Sequence, residues 1–215
     1  MNLLQKIKNN KLLFFISIPL LILIIILATK IVYGHQLIID RFAYNILIEK
    51  LRNPKLTTFM KLVTKLSNTE FIISLAVVLI LIFSYFIKNK KLGISLSINL
   101  VGVATLNQFL KMIFQRERPV GYRLIEMTGY SFPSGHAMVS MAFYGLLIYI
   151  IHRLVKNKVL KNLLIVLNVF IIILVGISRI YLGVHYFSDV IAGYCISVIY
   201  LLIVTKFLNK YKVFP

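Results

Sequence analysis

Long apolar runs alternate with short basic turns along most of this chain, and that rhythm predicts membrane-spanning helices. Lys6, Lys8 and Lys11 precede an apolar stretch from Leu12 to about Val32, interrupted only by Pro19 and Lys30. It is long enough to cross a bilayer. A secretory signal would have a shorter apolar core followed by a small-residue cleavage site, and neither stands out, so an uncleaved first helix is expected. Further runs at about 70–87, 93–113, 135–151, 162–178 and 189–207 bring the predicted spans to six. Lys88, Lys90 and Lys91 mark one turn between them, and Arg153, Lys156, Lys158 and Lys161 another.

Between the first two spans the pattern changes. Ile38, Phe42 and Ile46, then Phe59, Leu62, Val63 and Leu66, recur at helical spacing, with Arg41, Lys50, Lys61 and Lys65 among them. This predicts amphipathic helices at the membrane interface, broken at Asn53-Pro54. A solvated helical hairpin without membrane contact is the alternative. The expected fold is therefore all-α, a polytopic membrane protein with six transmembrane helices plus amphipathic interfacial helices between the first and second spans. No repeat of fixed period is present, and residues 1–215 are expected to form a single membrane-embedded domain.

Composition narrows the picture. The chain is 60% hydrophobic and only 14% charged, with mean hydropathy +0.89, which leaves no room for a separate soluble domain. Lys and Arg number 25 against 6 Asp and Glu, a formal charge of +19. In so apolar a chain, anionic membrane lipids and the positive-inside pattern explain that excess more simply than nucleic acid, so no nucleic-acid partner is expected. The single Cys195 excludes an intramolecular disulfide, and no residue pattern speaks to oligomeric state. Acids this scarce make an all-protein carboxylate cage for a divalent metal hard to build.

Six spans place both termini on one side, together with Lys6, Lys8, Lys11, Lys88, Lys90, Lys91, Arg153, Lys156, Lys158, Lys161, Lys206, Lys210 and Lys212. That side is expected to be cytoplasmic. The opposite side also carries cations, among them Arg41, Arg52, Lys111, Arg116, Arg118, Arg123 and Arg179. Cations there that bind a substrate anion say little about topology.

Three polar segments emerge on that outer face. In KMIFQRERP, Lys111 and Arg118 are seven residues apart, close to two turns, so both lie near one stripe if the helix persists that far. Arg116 points elsewhere on such a helix. Arg116 and Arg123 are expected to snorkel at the helix end. A Lys at the depth of Lys111 costs roughly 2–3 kcal/mol on insertion scales unless paired or hydrated, which favours an anionic partner. In SFPSGHAM, Ser134 suits an N-cap and Gly135 lets an anion approach the backbone, so the start of the fourth span offers an anion site beside His136. A Pro-Ser-Gly turn that simply starts a helix is the alternative.

The third segment, SRIYLGVHYFSD, supplies Arg179, a planar fork suited to a phosphoryl group. If the backbone is helical from His185 onward, Asp189 lies one turn further along. Its carboxylate then holds one imidazole nitrogen and leaves the other free as a candidate nucleophile. An interfacial loop whose Arg meets lipid headgroups is the bland alternative.

KMIFQRERP, PSGH and SRIYLGVHYFSD together resemble the three motifs of the type 2 phosphatidic acid phosphatase superfamily, K-x6-R-P, P-S-G-H and S-R-x5-H-x3-D, matching every defined position in order. The resemblance is confined to residues 111–189, and for residues 1–110 it identifies no functional residue. It implies a membrane lipid phosphatase that uses no metal and no cofactor. His185 is then the nucleophile, His136 the general acid and base, and Asp189 the partner that orients His185. Lys111, Arg118, Ser134, Gly135 and Arg179 would bind phosphate. Glu117 would either orient Arg118 or pair with Arg116. The implied substrate is a lipid phosphate within the bilayer of the cell membrane, with undecaprenyl pyrophosphate or phosphatidylglycerophosphate favoured and phosphatidic acid possible.

The rival readings are a lipid-linked phosphotransferase, a vanadium-dependent haloperoxidase, and a non-catalytic lipid- or phosphate-binding or transport protein. A transporter is expected to hold its ligand near the bilayer midplane, whereas these residues sit at span ends.

Overall fold

The computed structural model describes residues 3–34 and 37–214, with side chains from residue 14 onwards, so the Lys6, Lys8 and Lys11 side chains lie outside the described residues. Among the described residues all regular structure is helical. In chain order the helices are α1 (Leu3–Val32), α2 (Ile38–Tyr44), α3 (Pro54–Lys65), α4 (Thr69–Leu81), α5 (Lys90–Phe114), α6 (Gly135–Leu154), α7 (Lys158–Tyr181) and α8 (Phe187–Lys210). α2 runs on into a π-helical stretch, Asn45–Lys50, and α4 into another, Ile82–Phe86. Among the described residues six segments are long and apolar enough to span a membrane: Phe14–Val32, Thr69–Phe86, Lys90–Phe114, Gly135–Leu154, Lys158–Tyr181 and Phe187–Lys210. These are the six predicted spans. The fifth starts earlier than the apolar pattern suggests, because Asn157 caps it by accepting the Leu160 N–H at 3.0 Å, which draws Lys158 and Lys161 onto its first turns.

α6 is the hub, packed against α5, α7 and α8. Leu92, Leu96, Phe143, Leu146 and Ile172 fill the interior around it, while Phe15, Ile22, Val101, Val166 and Phe170 face outward. Lipid tails are as apolar as these side chains, so close approach and interhelical hydrogen bonds decide how such helices associate. Asn99 Nδ2 donates to the Ala142 carbonyl at 2.9 Å, Ser197 Oγ to Met138 at 3.0 Å and Asn107 Nδ2 to Pro133 at 3.1 Å. Each is worth about 1 kcal/mol and ties α5 or α8 to α6 or the turn before it. A Cβ on Gly193 would lie 3.0 Å from the Ser134 carbonyl, so the absent side chain lets α8 settle against the start of α6.

Asn53 and Pro54 break the segment after the first span as expected. Asn53 accepts the Leu56 N–H at 2.9 Å, and Pro54 takes the first helical position, where its missing N–H costs nothing. The amphipathic pattern is present and divides: Ile38, Phe42, Phe59 and Leu62 are exposed, while Val63 turns to protein. α3 buries Met60, Val63 and Thr64 and packs against α7, while α2 packs against α8.

Two local expectations are corrected. α5 stops at Phe114 because Gln115 adopts a left-handed conformation, φ 44°, so Arg118 shares no helical stripe with Lys111. α8 begins at Phe187 after an extended Tyr186, so His185 precedes the helix instead of opening it.

Candidate active site

His185 sits on the short connection between α7 and α8 and is 1% exposed. Asp189, in the first turn of α8, accepts the Tyr186 N–H on Oδ2 at 2.9 Å, and the same oxygen lies 3.3 Å from His185 Nδ1. Helix capping, not a continuous helical turn, therefore brings the carboxylate to the ring. On the other side, Arg118 Nη1 is 3.1 Å from His185 Nε2. A guanidinium only donates, so Nε2 presents its lone pair and the ring proton rests on Nδ1, facing Asp189. Burial, with the positive charges of Arg179, Arg118 and Lys111, holds the His185 pKa well below its ordinary 6.5, so the free ring is neutral.

Arg118 is fixed by carbonyls, those of Gly129 and Val184 at 2.9 Å and of Thr128 at 3.1 Å. Glu117 is exposed and takes neither expected partner. Arg179 lies 1% exposed on the last turn of α7. Its Nη1 donates to Thr64 Oγ1 of α3, and its Nε and Nη2 have no partner among the described residues. A buried cation with two unmet donors is costly, and an oxyanion is the ligand that satisfies both. Lys111 Nζ donates to the Tyr130 carbonyl.

Ser134 caps α6, its Oγ accepting from Ala137 N–H at 3.5 Å, while its own N–H donates to the Asp189 carbonyl at 3.1 Å. That bond joins the second motif to the third. Gly135 opens the helix, where a Cβ would come 3.0 Å from Asn107 Oδ1. His136 Nε2 lies 2.9 Å from Asn68 Oδ1, and Ser67 Oγ donates to the His136 carbonyl at 3.0 Å. His136 is within electrostatic range of Arg179, His185, Arg118 and Lys111. The fold thus gathers Lys111, Arg118, Ser134, Gly135, His136, Arg179, His185 and Asp189 around one centre.

The snorkelling expected of Arg116 is overturned. Its side chain is only 13% exposed, because the left-handed turn at Gln115 directs it inward. Nη1 donates to Asp189 Oδ1 at 2.6 Å and to Ser188 Oγ at 2.7 Å, and Nη2 to Asp40 Oδ2 at 3.0 Å. Its guanidinium lies 3.9 Å over the Tyr186 ring. Burial opposes its charge, but Asp189 and Asp40 outweigh that and raise its pKa. Arg123, by contrast, is exposed, with Nε on the Pro119 carbonyl.

Sequence reasoning also missed Asp40, Thr64, Ser67 and Asn68, all between the first and second spans. Asp40 did leave a signal, being one of 6 acids in the chain and lodged in an apolar Leu-Ile-Ile-Asp run. Asn68 left none, since an Asn before a span reads as a helix cap, although here it makes no side-chain cap bond.

Comparison with known proteins gives the family and the fold. Residues 73–212 match the PAP2 superfamily. The chain is 32% identical over 166 residues to phosphatidylglycerophosphatase B from Bacillus subtilis, covering 76% of this chain and 81% of that one. It is 32% identical over 188 residues to undecaprenyl-diphosphatase from Sulfolobus acidocaldarius, covering 83% of each. Among solved structures, the transmembrane PAP2-type phosphatidylglycerolphosphate phosphatase from Bacillus subtilis superposes with a TM-score of 0.82 at 28% identity, over 91% of this chain and 97% of that one. LpxE from Aquifex aeolicus shares the fold at a TM-score of 0.60 and 23% identity, over 76% of this chain and 92% of that one.

Proposed function

The chain belongs to the PAP2 superfamily and is a membrane lipid phosphatase, and from that premise we propose that His185 attacks the terminal phosphorus of a lipid phosphate or pyrophosphate. The observation that carries this is Arg179, buried with Nε and Nη2 unpartnered beside a neutral imidazole. Phosphate oxygens take those donors, together with Lys111, Arg118, Ser134 and the Gly135 N–H. Once a phosphate oxygen draws Arg118 Nη1 off His185 Nε2, the ring lone pair is free to attack.

Attack forms the N–P bond and breaks the P–O bond to the lipid. His136 gives its proton to the departing oxygen, a role contributing roughly 10²- to 10⁴-fold. The phosphohistidine carries positive charge on the ring, and Asp189 stabilises it through Nδ1–H. His136 then takes a proton from water as the water attacks phosphorus, the N–P bond breaks, and inorganic phosphate leaves. Cations and helix N–H groups neutralise the equatorial oxygens throughout, so the cycle uses no metal.

Undecaprenyl pyrophosphate and phosphatidylglycerophosphate are the favoured substrates, a reading supported by what the two curated relatives are named for, with phosphatidic acid a third candidate. Both termini are assigned to the cytoplasm and the site to the outer face, supported by the basic residues of the short loops on the terminal side. The test is phosphate release by the purified protein in detergent with a chelator present, across these three lipids and a soluble phosphate ester. Release from a lipid that His185→Ala abolishes is expected. A folded protein that releases phosphate from none of them would overturn the assignment.

A further inference from the structure

Asp189 has a second partner that the three motifs do not explain. Arg116 grips its Oδ1 at 2.6 Å, on the side away from His185. An Asp189–Arg116 pair alone would be neutral, and a neutral pair is a poor counter-charge for an imidazole that becomes positive on phosphorylation. The fold supplies a third member. Asp40 of α2, 5% exposed, accepts Arg116 Nη2 on Oδ2 at 3.0 Å. It also accepts the Ser188 N–H on Oδ1 at 2.7 Å and Ser188 Oγ on Oδ2 at 2.8 Å. Ser188 stands in the first turn of α8 next to Asp189, so Asp40 caps from another helix the turn that carries the nucleophile's partner.

We propose that Asp40 is a positioning residue for the phosphatase reaction, which offsets the charge of Arg116 and fixes the start of α8 so that Asp189 stays a net anion aimed at His185. This rests on the role given to His185 in the preceding section. With Asp40, the Asp40–Arg116–Asp189 cluster carries one net negative charge. Without it the cluster carries none, and the imidazole turns positive beside a pair with no net charge. Asp40 lies outside the region that matches the superfamily, so its part is set by the packing of α2 on α8 and not by the motifs.

The test compares wild type with Asp40→Asn and Asp40→Ala, each checked for folding by gel filtration in detergent. Asp40→Asn keeps the shape and removes the charge, and kcat should fall about 10- to 100-fold with KM changing less than about threefold, the pattern of lost outer-shell support. Asp40→Ala leaves a gap opening onto a cavity of about 600 Å³ that Asp40, Arg116, Tyr44, Tyr122 and Tyr186 line. Formate is small enough to enter it, and should restore kcat in Asp40→Ala in a dose-dependent way while leaving wild type unchanged. The ¹⁵N signals of the His185 imidazole, followed without substrate, should shift in Asp40→Asn.

Wild-type kcat in Asp40→Asn would overturn the proposal. So would a loss in Asp40→Ala that formate leaves untouched together with unmoved His185 signals, because that is the signature of a merely structural residue. If wild type releases no phosphate from any substrate yet the His185 signals shift in Asp40→Asn, the phosphatase mechanism falls and the coupling of Asp40 to His185 through Asp189 stands.

Discussion

His185 and His136 are the same side chain in opposite company. His185 lies between a carboxylate 3.3 Å from Nδ1 and a guanidinium 3.1 Å from Nε2, whereas His136 meets the neutral amide of Asn68 at 2.9 Å. The difference suits the roles proposed for the two rings. An imidazole that ends a step bonded to phosphorus and positively charged needs an anion behind it. One that gives up a proton and takes it back is better held by a partner that orients it without favouring either state. The carboxylate beside His185 lies four residues away within one motif, while the amide beside His136 comes from the stretch between the first two spans. That stretch also supplies Thr64 to Arg179 and Asp40 to Arg116, so it is part of the site's frame.

The sharpest way to break this division of labour is through the leaving group. His185→Ala should abolish phosphate release from lipid and p-nitrophenyl substrates alike. His136→Ala should lose roughly 10²- to 10⁴-fold on a lipid alkoxide, but far less in the p-nitrophenolate burst, because that leaving group needs no proton. Equal defects of His136→Ala on both substrates would end the assignment of His136 as the acid.

A smaller effect is expected from its partner. Asn68→Ala leaves a buried ring nitrogen without a partner, which costs on the order of 1–2 kcal/mol, or about tenfold in kcat. Wild-type kcat in Asn68→Ala would show that the amide does not govern His136.

The smallest expected change is in the acidic limb of kcat/KM. In the proposed mechanism His185 reacts as the neutral ring, and its pKa is held below 6.5 by burial and by Arg179, Arg118 and Lys111. Protonation on acidification therefore inactivates the free enzyme only below that value. Arg118→Gln removes one of those cations, so the ring protonates more readily and the limb should move to higher pH. The substrate's own ionisation cancels in the comparison with wild type. A limb that stays in place, or moves down, would mean that another group sets it.

The site's chemistry was legible where it lay close in sequence. Ser134 as a cap, the Asn53-Pro54 break and the three motif segments all express local rules of helix ends and spacing. Arg116 was misjudged for a local reason as well. Its direction depends on whether α5 continues past Phe114, and the left-handed Gln115 that ends the helix is a residue type with no preference for that conformation.

Asp40 and Asn68 were beyond such rules. Asp40 meets Ser188 across 148 residues and Asn68 meets His136 across 68, and each looks like an ordinary polar position on or beside an amphipathic helix.

The sequence by itself determined the six spans, the family and the three motif segments that the fold brings together, because membrane thickness and phosphoryl chemistry each impose a pattern that neighbouring residues must satisfy. Only the tertiary structure decided which nitrogen of His185 is free, which partner each histidine has, and that Arg116 turns inward between two carboxylates. Those depend on distances between helices far apart in the chain. Such distances are set by how α2, α3, α6 and α8 pack, which no local pattern encodes.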